Sequence, residues 1–297
     1  MNKDFFSSYH PAVLFVYFLM TAGFSVVFLH PGLLTVSLAG ALAYAACLKR
    51  AKLIGFFLKF LLPLFLLSSL FNPIFNHAGS TILAYFRNGN PLTLESCVYG
   101  LAAAVMITSV ITWFSCYNEV MTSDKFIYLF GRVAPSLSLV FSMVLRFVPR
   151  FAARLKAVSK AQAGVGKDIR TGGAAERIKH GVSILSVMVT WALESAVDTA
   201  DSMNGRGYGL PSRTAFAVYR FGKRDLPVSV FFLFCGVYIT VGAVAGELSV
   251  KYFPATVFPA SSLYGFSVLA CYAALCLTPT AINIFEAGKW RALKSKI

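Results

Sequence analysis

The residues of this chain that could do chemistry are few and scattered. The four histidines lie far apart, and the six cysteines include no C-x-x-C pair. The sequence contains neither the H-E-x-x-H pattern of zinc proteases nor the G-x-x-x-x-G-K-[ST] loop that holds nucleotide phosphates. We therefore expect no catalytic residue, no metal site and no cofactor, and we expect the cysteines to behave as small apolar side chains.

One acidic group follows helical spacing. Glu194, Asp198 and Asp201 are separated by steps of four and three, which places them on one face of a helix. Such carboxylates could hold magnesium in an intramembrane prenyltransferase, although that chemistry needs a richer acidic cluster. We favour ion pairing instead, because three arginines recur at steps of four on another predicted helix, namely Arg146, Arg150 and Arg154. Contact of these arginines with lipid phosphate is the open alternative.

A second candidate is the sequence Gly205-Arg206-Gly207, which follows a predicted helix. Glycine commonly ends helices, and the helix dipole favours a positive charge at the C-terminus. Small neighbours also let a partner surface approach closely. Two interpretations are open: a docking end, or an ordinary glycine-capped helix with a basic residue.

The composition shows what kind of molecule carries these residues. Of 297 residues, 57% are hydrophobic and only 13% charged, with a mean hydropathy of +0.69. An ordinary soluble domain has about 25% charged residues, so a soluble protein is excluded. Six apolar runs are long enough to be membrane helices: 11–29, 33–48, 53–71, 98–118, 226–246 and 261–285.

The charges are distributed unevenly around these runs. The net charge is +15, and residues 119–225 hold 16 Lys and Arg against 8 Asp and Glu. The basic residues of loops 72–97 and 247–260 are Arg87 and Lys251. The positive-inside rule therefore predicts that both termini and residues 119–225 lie in the cytoplasm. We expect the lipid bilayer and acidic protein surfaces, not nucleic acid, to be the partners of this charge.

Residues 119–225 are basic but also amphipathic. One apolar stripe runs from Val144 to Val158 and another from Ile178 to Met203, both at alternating steps of four and three. They predict two long helices, the first kinked at Pro149. In the second stripe, Ala192 and Ala196 have the spacing that permits close helix crossing, although helix propensity alone also explains alanines. The chain thus divides into N-terminal membrane helices (1–118), a cytoplasmic region (119–225) and C-terminal membrane helices (226–297).

Ordered sequence blocks over roughly residues 70–210 resemble the transmembrane T component of energy-coupling factor transporters, a class of ABC importer. The blocks are F-N-P-I-F-N-H-A-G at 71–79, L-T-L-E-S at 92–96, M-T-S-D-K at 121–125, L-R-F-V-P at 145–149, A-Q at 161–162 and M-N-G-R-G-Y at 203–208.

The resemblance implies a fold and a set of partners. It implies an all-α membrane protein with about six transmembrane helices, whose two cytoplasmic coupling helices cross in an X. The arginine-bearing ends of those helices sit in grooves of two ATPase subunits, and the same scaffold holds a membrane-embedded, substrate-binding S subunit. The second arginine motif is Gly205-Arg206-Gly207. At the first helix end the arginine slot holds Val165, followed by Gly166 and Lys167.

We therefore predict a non-catalytic scaffold of a vitamin or transition-metal importer, in the cytoplasmic membrane of a bacterium or archaeon. Two alternatives remain. An intramembrane prenyltransferase would need acid clusters facing the membrane, and a stand-alone secondary transporter would need inverted repeats and broken helices. No repeat relates residues 1–118 to 226–297.

Overall fold

The computed structural model describes residues 4–49, 51–85, 90–131, 134–169, 171–208, 219–257 and 262–294. The chain forms two compact units. Unit 1 comprises Met1–Phe126 and Tyr219–Ile297, and unit 2 comprises Ile127–Val218. Arg87, the basic residue of loop 72–97, lies outside the described residues.

Unit 1 is a bundle of long apolar helices. Its helices are α1 (Pro11–Val27), α2 (Pro31–Lys49), α3 (Ala51–Phe56), α4 (Leu62–Phe75), α5 (Leu94–Val120), α9 (Asp225–Val244) and α10 (Leu263–Lys294). A π-helical turn, Phe57–Leu61, joins α3 to α4, so that Ile54–Phe75 forms one span. Helix α6 (Ser123–Gly131) follows α5 and contains the boundary between the two units.

The six predicted membrane runs each coincide with helix in unit 1. Five of them are long and apolar enough to cross a membrane, whereas α1 has only 17 residues. At 1.5 Å per residue α1 is about 26 Å long, slightly less than the ~30 Å hydrocarbon core. The sixth helix that meets the criteria of length and hydropathy is α8 (Ala174–Gly205), in unit 2. The charge pattern of the sequence predicts that α8 lies outside the membrane.

Histidine–proline pairs begin the first two helices. Proline is favoured in the first turn because its fixed φ suits the helix and its missing N–H would be unpaired there. The preceding histidine supplies the cap: His10 Nδ1 accepts a hydrogen bond from Ala12 N, and His30 Nδ1 accepts one from Gly32 N, both at 3.2 Å. Burial lowers the pKa of both imidazoles, and the Asp225 carboxylate partly opposes this at His10.

Buried polar side chains connect four helices of the bundle. Ser25 Oγ of α1 lies 2.6 Å from Ser37 Oγ of α2 and 3.0 Å from the Tyr272 hydroxyl of α10. The indole of Trp113 in α5 donates to Ser37 Oγ at 3.0 Å. Inside a membrane every polar atom must find a partner within the protein, so this network fixes the relative position of α1, α2, α5 and α10.

A short hairpin covers the end of the bundle at which α4 finishes and α5 begins. Strands β1 (Ile82–Tyr85) and β2 (Pro91–Thr93) pair antiparallel. The buried Glu95 carboxylate accepts hydrogen bonds from Ser80 Oγ at 3.1 Å and Thr81 Oγ1 at 2.9 Å. Thr93 Oγ1 donates to Ala78 O at 2.8 Å, which holds the resemblance blocks at 71–79 and 92–96 together.

Unit 2 contains two long helices, α7 (Pro135–Gly164) and α8. Helix α7 continues through Pro149. The two helices pack through aromatic and cationic contacts: the rings of Phe151 and Trp191 are 5.2 Å apart, and the Arg154 guanidinium lies 5.5 Å from the Trp191 ring centroid.

Candidate interaction site on the long helices

The C-terminal ends of α7 and α8 are built alike, position for position. At the end of α7, Lys167 N donates to Gln162 O (2.9 Å) and Gly166 N donates to Ala163 O (3.1 Å). At the end of α8, Tyr208 N donates to Met203 O (3.0 Å) and Gly207 N donates to Asn204 O (2.9 Å). Both pairs are the hydrogen bonds of the Schellman motif.

The glycines make this geometry accessible. Gly166 has φ +80° and Gly207 has φ +70°, the left-handed region in which a Cβ atom is strained. The residue before each glycine is the helix cap, and this residue is Val165 on α7 and Arg206 on α8. Val165 at the end of α7 therefore has the same backbone position as Arg206 at the end of α8. In the same way, Lys167 of the first end corresponds to Tyr208 of the second.

The side chains at both ends are accessible. Val165 is 75% exposed, which is unusual for valine, and Lys167 and Arg206 are also exposed. The two ends thus present one apolar and one cationic side chain from the same backbone frame.

The other predicted site residues lie along the two helices. Arg146, Arg150, Glu194 and Asp198 are exposed, as are Asp201 and Ala196, whereas Ala192 is half-buried. Arg154 is the arginine of the predicted set that the structure places against the other helix, where it contacts Trp191. A cation over an indole ring gains about 0.5–1 kcal/mol at an exposed site.

Helix α8 buries residues that were not predicted from the sequence. The inward face carries Ile184 and Met188, both buried, and continues through the half-buried Trp191 and Ser195. Their steps of four, three and four form a second helical stripe that could have been found by testing both faces. Of the predicted stripe, Val182, Leu185 and Val189 are exposed, whereas Thr199 and Met203 are half-buried.

Unit 2 consequently presents a large apolar surface. On α7 and α8 the exposed large apolar residues include Leu137, Val140, Phe141, Val144, Val148, Leu155, Ile178, Val182, Leu185, Val189, Leu193 and Val197. Exposed apolar patches of this extent mark contact with a membrane or a protein partner. Within the described ranges no group of three or more His, Cys, Asp or Glu side chains is placed to hold a metal ion.

Comparison with known proteins identifies the family. A family model described as CbiQ, cobalt transport protein, matches residues 5–216, which is more than half of the chain. The chain belongs to the CbiQ family. The match includes α7 and α8 and both of their C-terminal ends.

Curated relatives of this CbiQ-family chain carry one name, energy-coupling factor transporter transmembrane protein EcfT. The protein from Listeria innocua is 28% identical over 218 residues, covering 68% of this chain and 80% of the relative. The Staphylococcus aureus protein is 27% identical over 194 residues, covering 60% and 71%. The Lactobacillus helveticus protein is 29% identical over 134 residues, covering 43% of this chain and about half, 48%, of the relative.

These matches confirm the resemblance to the T component of energy-coupling factor transporters. The protein is a multi-pass bacterial membrane protein and a transmembrane component of such a transporter, which is not an enzyme family.

Proposed function

We propose that this protein is the scaffold through which two ATP-binding cassette ATPase subunits drive a membrane-embedded S subunit. The transported substrate is a vitamin or a transition-metal ion bound by the S subunit. ATP hydrolysis takes place on the ATPase subunits. The single observation that carries the proposal is the pair of equivalent, exposed helix ends on α7 and α8.

Two identical or similar ATPase subunits need two similar docking elements. The ends at Val165 and Arg206 share cap, glycine and hydrogen-bond pattern, so they can enter grooves of the same shape. An arginine can form a bidentate, charge-assisted contact with a carboxylate in such a groove. We therefore assign Gly205, Arg206 and Gly207 to one ATPase contact and Val165, Gly166 and Lys167 to the other.

The exposed apolar surface of unit 2 supports a membrane partner. If the outward face of α8 contacted only water, charged residues would be favoured over Val182, Leu185 and Val189. A membrane-embedded S subunit would instead cover these apolar side chains. We propose that α7 and α8 are the coupling helices, that they cross in an X, and that they carry this partner on their outward face.

We also propose that α8 does not cross the bilayer, despite its hydropathy. Asp198 lies well inside the helix and is exposed. Glu194 and Asp198 both lie in the C-terminal half of α8, and a carboxylate within a membrane span is costly unless it is paired or faces a water-filled cavity. Surface placement of α8 avoids this cost and agrees with the basic character of residues 119–225.

Co-purification tests the proposal against its rivals. The tagged chain is isolated from its native membrane in mild detergent, and the bound proteins are identified by mass spectrometry. Proteins with a nucleotide-binding P-loop and a small apolar membrane protein should co-purify. Transport or prenyl transfer by the isolated chain in liposomes, with no bound ATPase, would overturn the scaffold proposal in favour of the secondary transporter or the prenyltransferase.

A further inference from the structure

The described N-terminal residues, Asp4 to His10, form a segment that is anchored in unit 1. Phe6 is fully buried, and its ring centroid lies 5.2 Å from that of Tyr17 and 6.0 Å from that of Tyr44. The segment is therefore a part of the packed bundle.

Polar contacts join the same segment to α2 and α10. The Asp4 carboxylate accepts hydrogen bonds from the Tyr44 hydroxyl at 3.0 Å and from Asn283 Nδ2 at 2.6 Å. Asn283 Oδ1 in turn accepts from Phe5 N at 2.9 Å. The asparagine thus uses both ends of its amide on one short stretch of chain, which fixes the position of that stretch.

Lys125 connects the segment to the point at which the chain leaves unit 1. Its Nζ donates to Ser7 O at 2.6 Å and to Val120 O at 2.9 Å, and the side chain is only 8% exposed. Burial lowers the pKa of Lys125, an effect that Asp4 partly opposes. The chain passes into unit 2 after Phe126, one residue further on.

Asp225 makes the matching connection where the chain returns. Its Oδ1 accepts from His10 N at 3.1 Å and its Oδ2 from Gly222 N at 2.7 Å. The His10 and Phe221 rings are 5.4 Å apart. Asp225 is 7% exposed, and the chain comes back into unit 1 at Tyr219, six residues earlier.

We propose that Lys125 and Asp225 are positioning residues that tie the two connections between the units to one N-terminal segment. We call this arrangement the N-terminal junction; it consists of residues 4–10, Lys125 and Asp225. The two connections, far apart in sequence, are held by two residues of the same short segment, Ser7 and His10, which are three positions apart. A displacement of residues 127–218 is therefore transmitted to unit 1 through both connections together, without loosening either alone.

The consequence for transport rests on the proposed function. If α7 and α8 carry the movement of ATPase subunits, a loose junction lets them move without moving the bundle. ATP would then be hydrolysed with less substrate transported, although the subunits remain assembled.

Hydrogen–deuterium exchange of the full chain tests the junction without reference to transport. Lys125→Met removes the three donors at similar length, Lys125→Arg retains a cationic donor, and Lys289→Met makes the same change at an exposed lysine of α10. We expect Lys125→Met to speed exchange of backbone amides about tenfold in residues 123–126. Exchange should also rise about tenfold in residues 219–225, although Lys125 donates its hydrogen bonds to Ser7 and Val120. Lys125→Arg should restore most of the protection, and Lys289→Met should change neither segment.

A second variant covers the case in which Lys125→Met does not fold. Asp225→Asn keeps the shape of the side chain but weakens the hydrogen bonds that it accepts from His10 N and Gly222 N. It should therefore speed exchange at the other connection, in residues 123–126. If exchange rises only beside the substituted residue in both variants, the proposal that the junction holds the two connections together is wrong.

The transport measurement then separates the two proposals. In the assembled transporter, Lys125→Met should raise the number of ATP molecules hydrolysed per substrate taken up, with co-purification unchanged. An unchanged ratio in a variant that loses protection at both connections would overturn the coupling role of the junction. Failure of the wild-type chain to bind ATPases would instead overturn the proposed function and leave the exchange result intact.

Discussion

At the scale of single residues, the most consequential difference lies between the caps of α7 and α8. Both caps occupy the same position of a Schellman motif, yet one is Val165 and the other Arg206. Valine cannot form the forked hydrogen bonds of a guanidinium, and the ammonium of Lys167 is a point charge one position along the chain. We therefore expect the two ends to bind ATPases unequally.

Substitution at the caps measures this inequality. Arg206→Ala should weaken association with an ATPase by about 2–5 kcal/mol if the contact is desolvated, and Lys167→Ala should cost less. Val165→Arg should strengthen assembly if the first groove is also acidic. ATPase co-purification and substrate uptake provide the measurements, with Lys179→Ala, an exposed cation near the start of α8, as the matched control. Undiminished assembly and uptake in Arg206→Ala would falsify the docking role.

The two histidine caps make a prediction about pH. Burial lowers the pKa of His10 and His30 below the ordinary value of 6.5, and a protonated Nδ1 can no longer accept the hydrogen bond from the backbone. As the pH falls below 6.5 the unfolded chain binds protons first, so the free energy of unfolding decreases until the pH reaches the lower folded-state pKa values. Stability should therefore be highest above pH 6.5 and fall on acidification.

Thermal melting in detergent at a series of pH values checks this expectation. His10→Asn and His30→Asn together place non-titrating caps at both helices, and the double variant should lose part of the acid sensitivity. His180→Asn, a histidine within α8 that caps no helix, serves as the control. Identical pH profiles for the double variant and the original chain would show that the caps do not contribute.

At the scale of elements, α8 uses its two apolar faces differently. Ile184 and Met188 pack inward, whereas the stripe through Val182, Leu185 and Val189 is exposed. A single helix can carry two apolar faces when one is covered by its own chain and the other by a partner or lipid. Under the proposed function, the buried face contributes stability and the exposed face binds the partner.

Matched alanine substitutions separate the two roles. Met188→Ala should destabilise the protein by about 2–5 kcal/mol, because it removes buried atoms and leaves a cavity. Leu185→Ala, three residues away on the exposed face, should change stability little and should weaken retention of the membrane partner. Thermal melting of the isolated chain and co-purification of the partner are compared for each variant. Equal destabilisation by both would contradict the assignment of the faces.

At the scale of the whole molecule, the structure and the charge pattern agree on which loops share an end of unit 1. The N-terminal segment contacts α10 and the start of α9. The residues at the other end also contact one another, since Tyr252 donates to Leu29 O and Ser80 N donates to Pro254 O. The positive-inside rule predicts the orientation and places the N-terminal segment on the cytoplasmic side.

Cysteine accessibility in intact cells tests that orientation. A cysteine at Lys251, exposed in the loop after α9, should react with a membrane-impermeant thiol reagent. A cysteine at Lys167 should react only after the membrane is permeabilised, because the end of α7 faces the cytoplasm in this topology. The original chain with its six cysteines gives the background. The reverse pattern of labelling would overturn the orientation.

The sequence by itself determined the class of the molecule and the helices of unit 1, because a ~30 Å apolar layer imposes long apolar runs that composition reveals directly. It also located both helix ends, since glycine after a periodic stripe has a local backbone cause. The equivalence of Val165 and Arg206, predicted from the resemblance, is supported by the hydrogen bonds at each end.

Tertiary structure alone decided which surfaces meet. The apolar stripe of α8 that the sequence favours is exposed, and Arg154 lies on Trp191, because two apolar faces of one helix are equivalent until a second helix packs on one of them. The N-terminal junction was likewise absent from every local pattern. The N-terminal segment, Lys125 and Asp225 come from three separate stretches of the chain, and only packing of the bundle brings their donors and acceptors within hydrogen-bond distance.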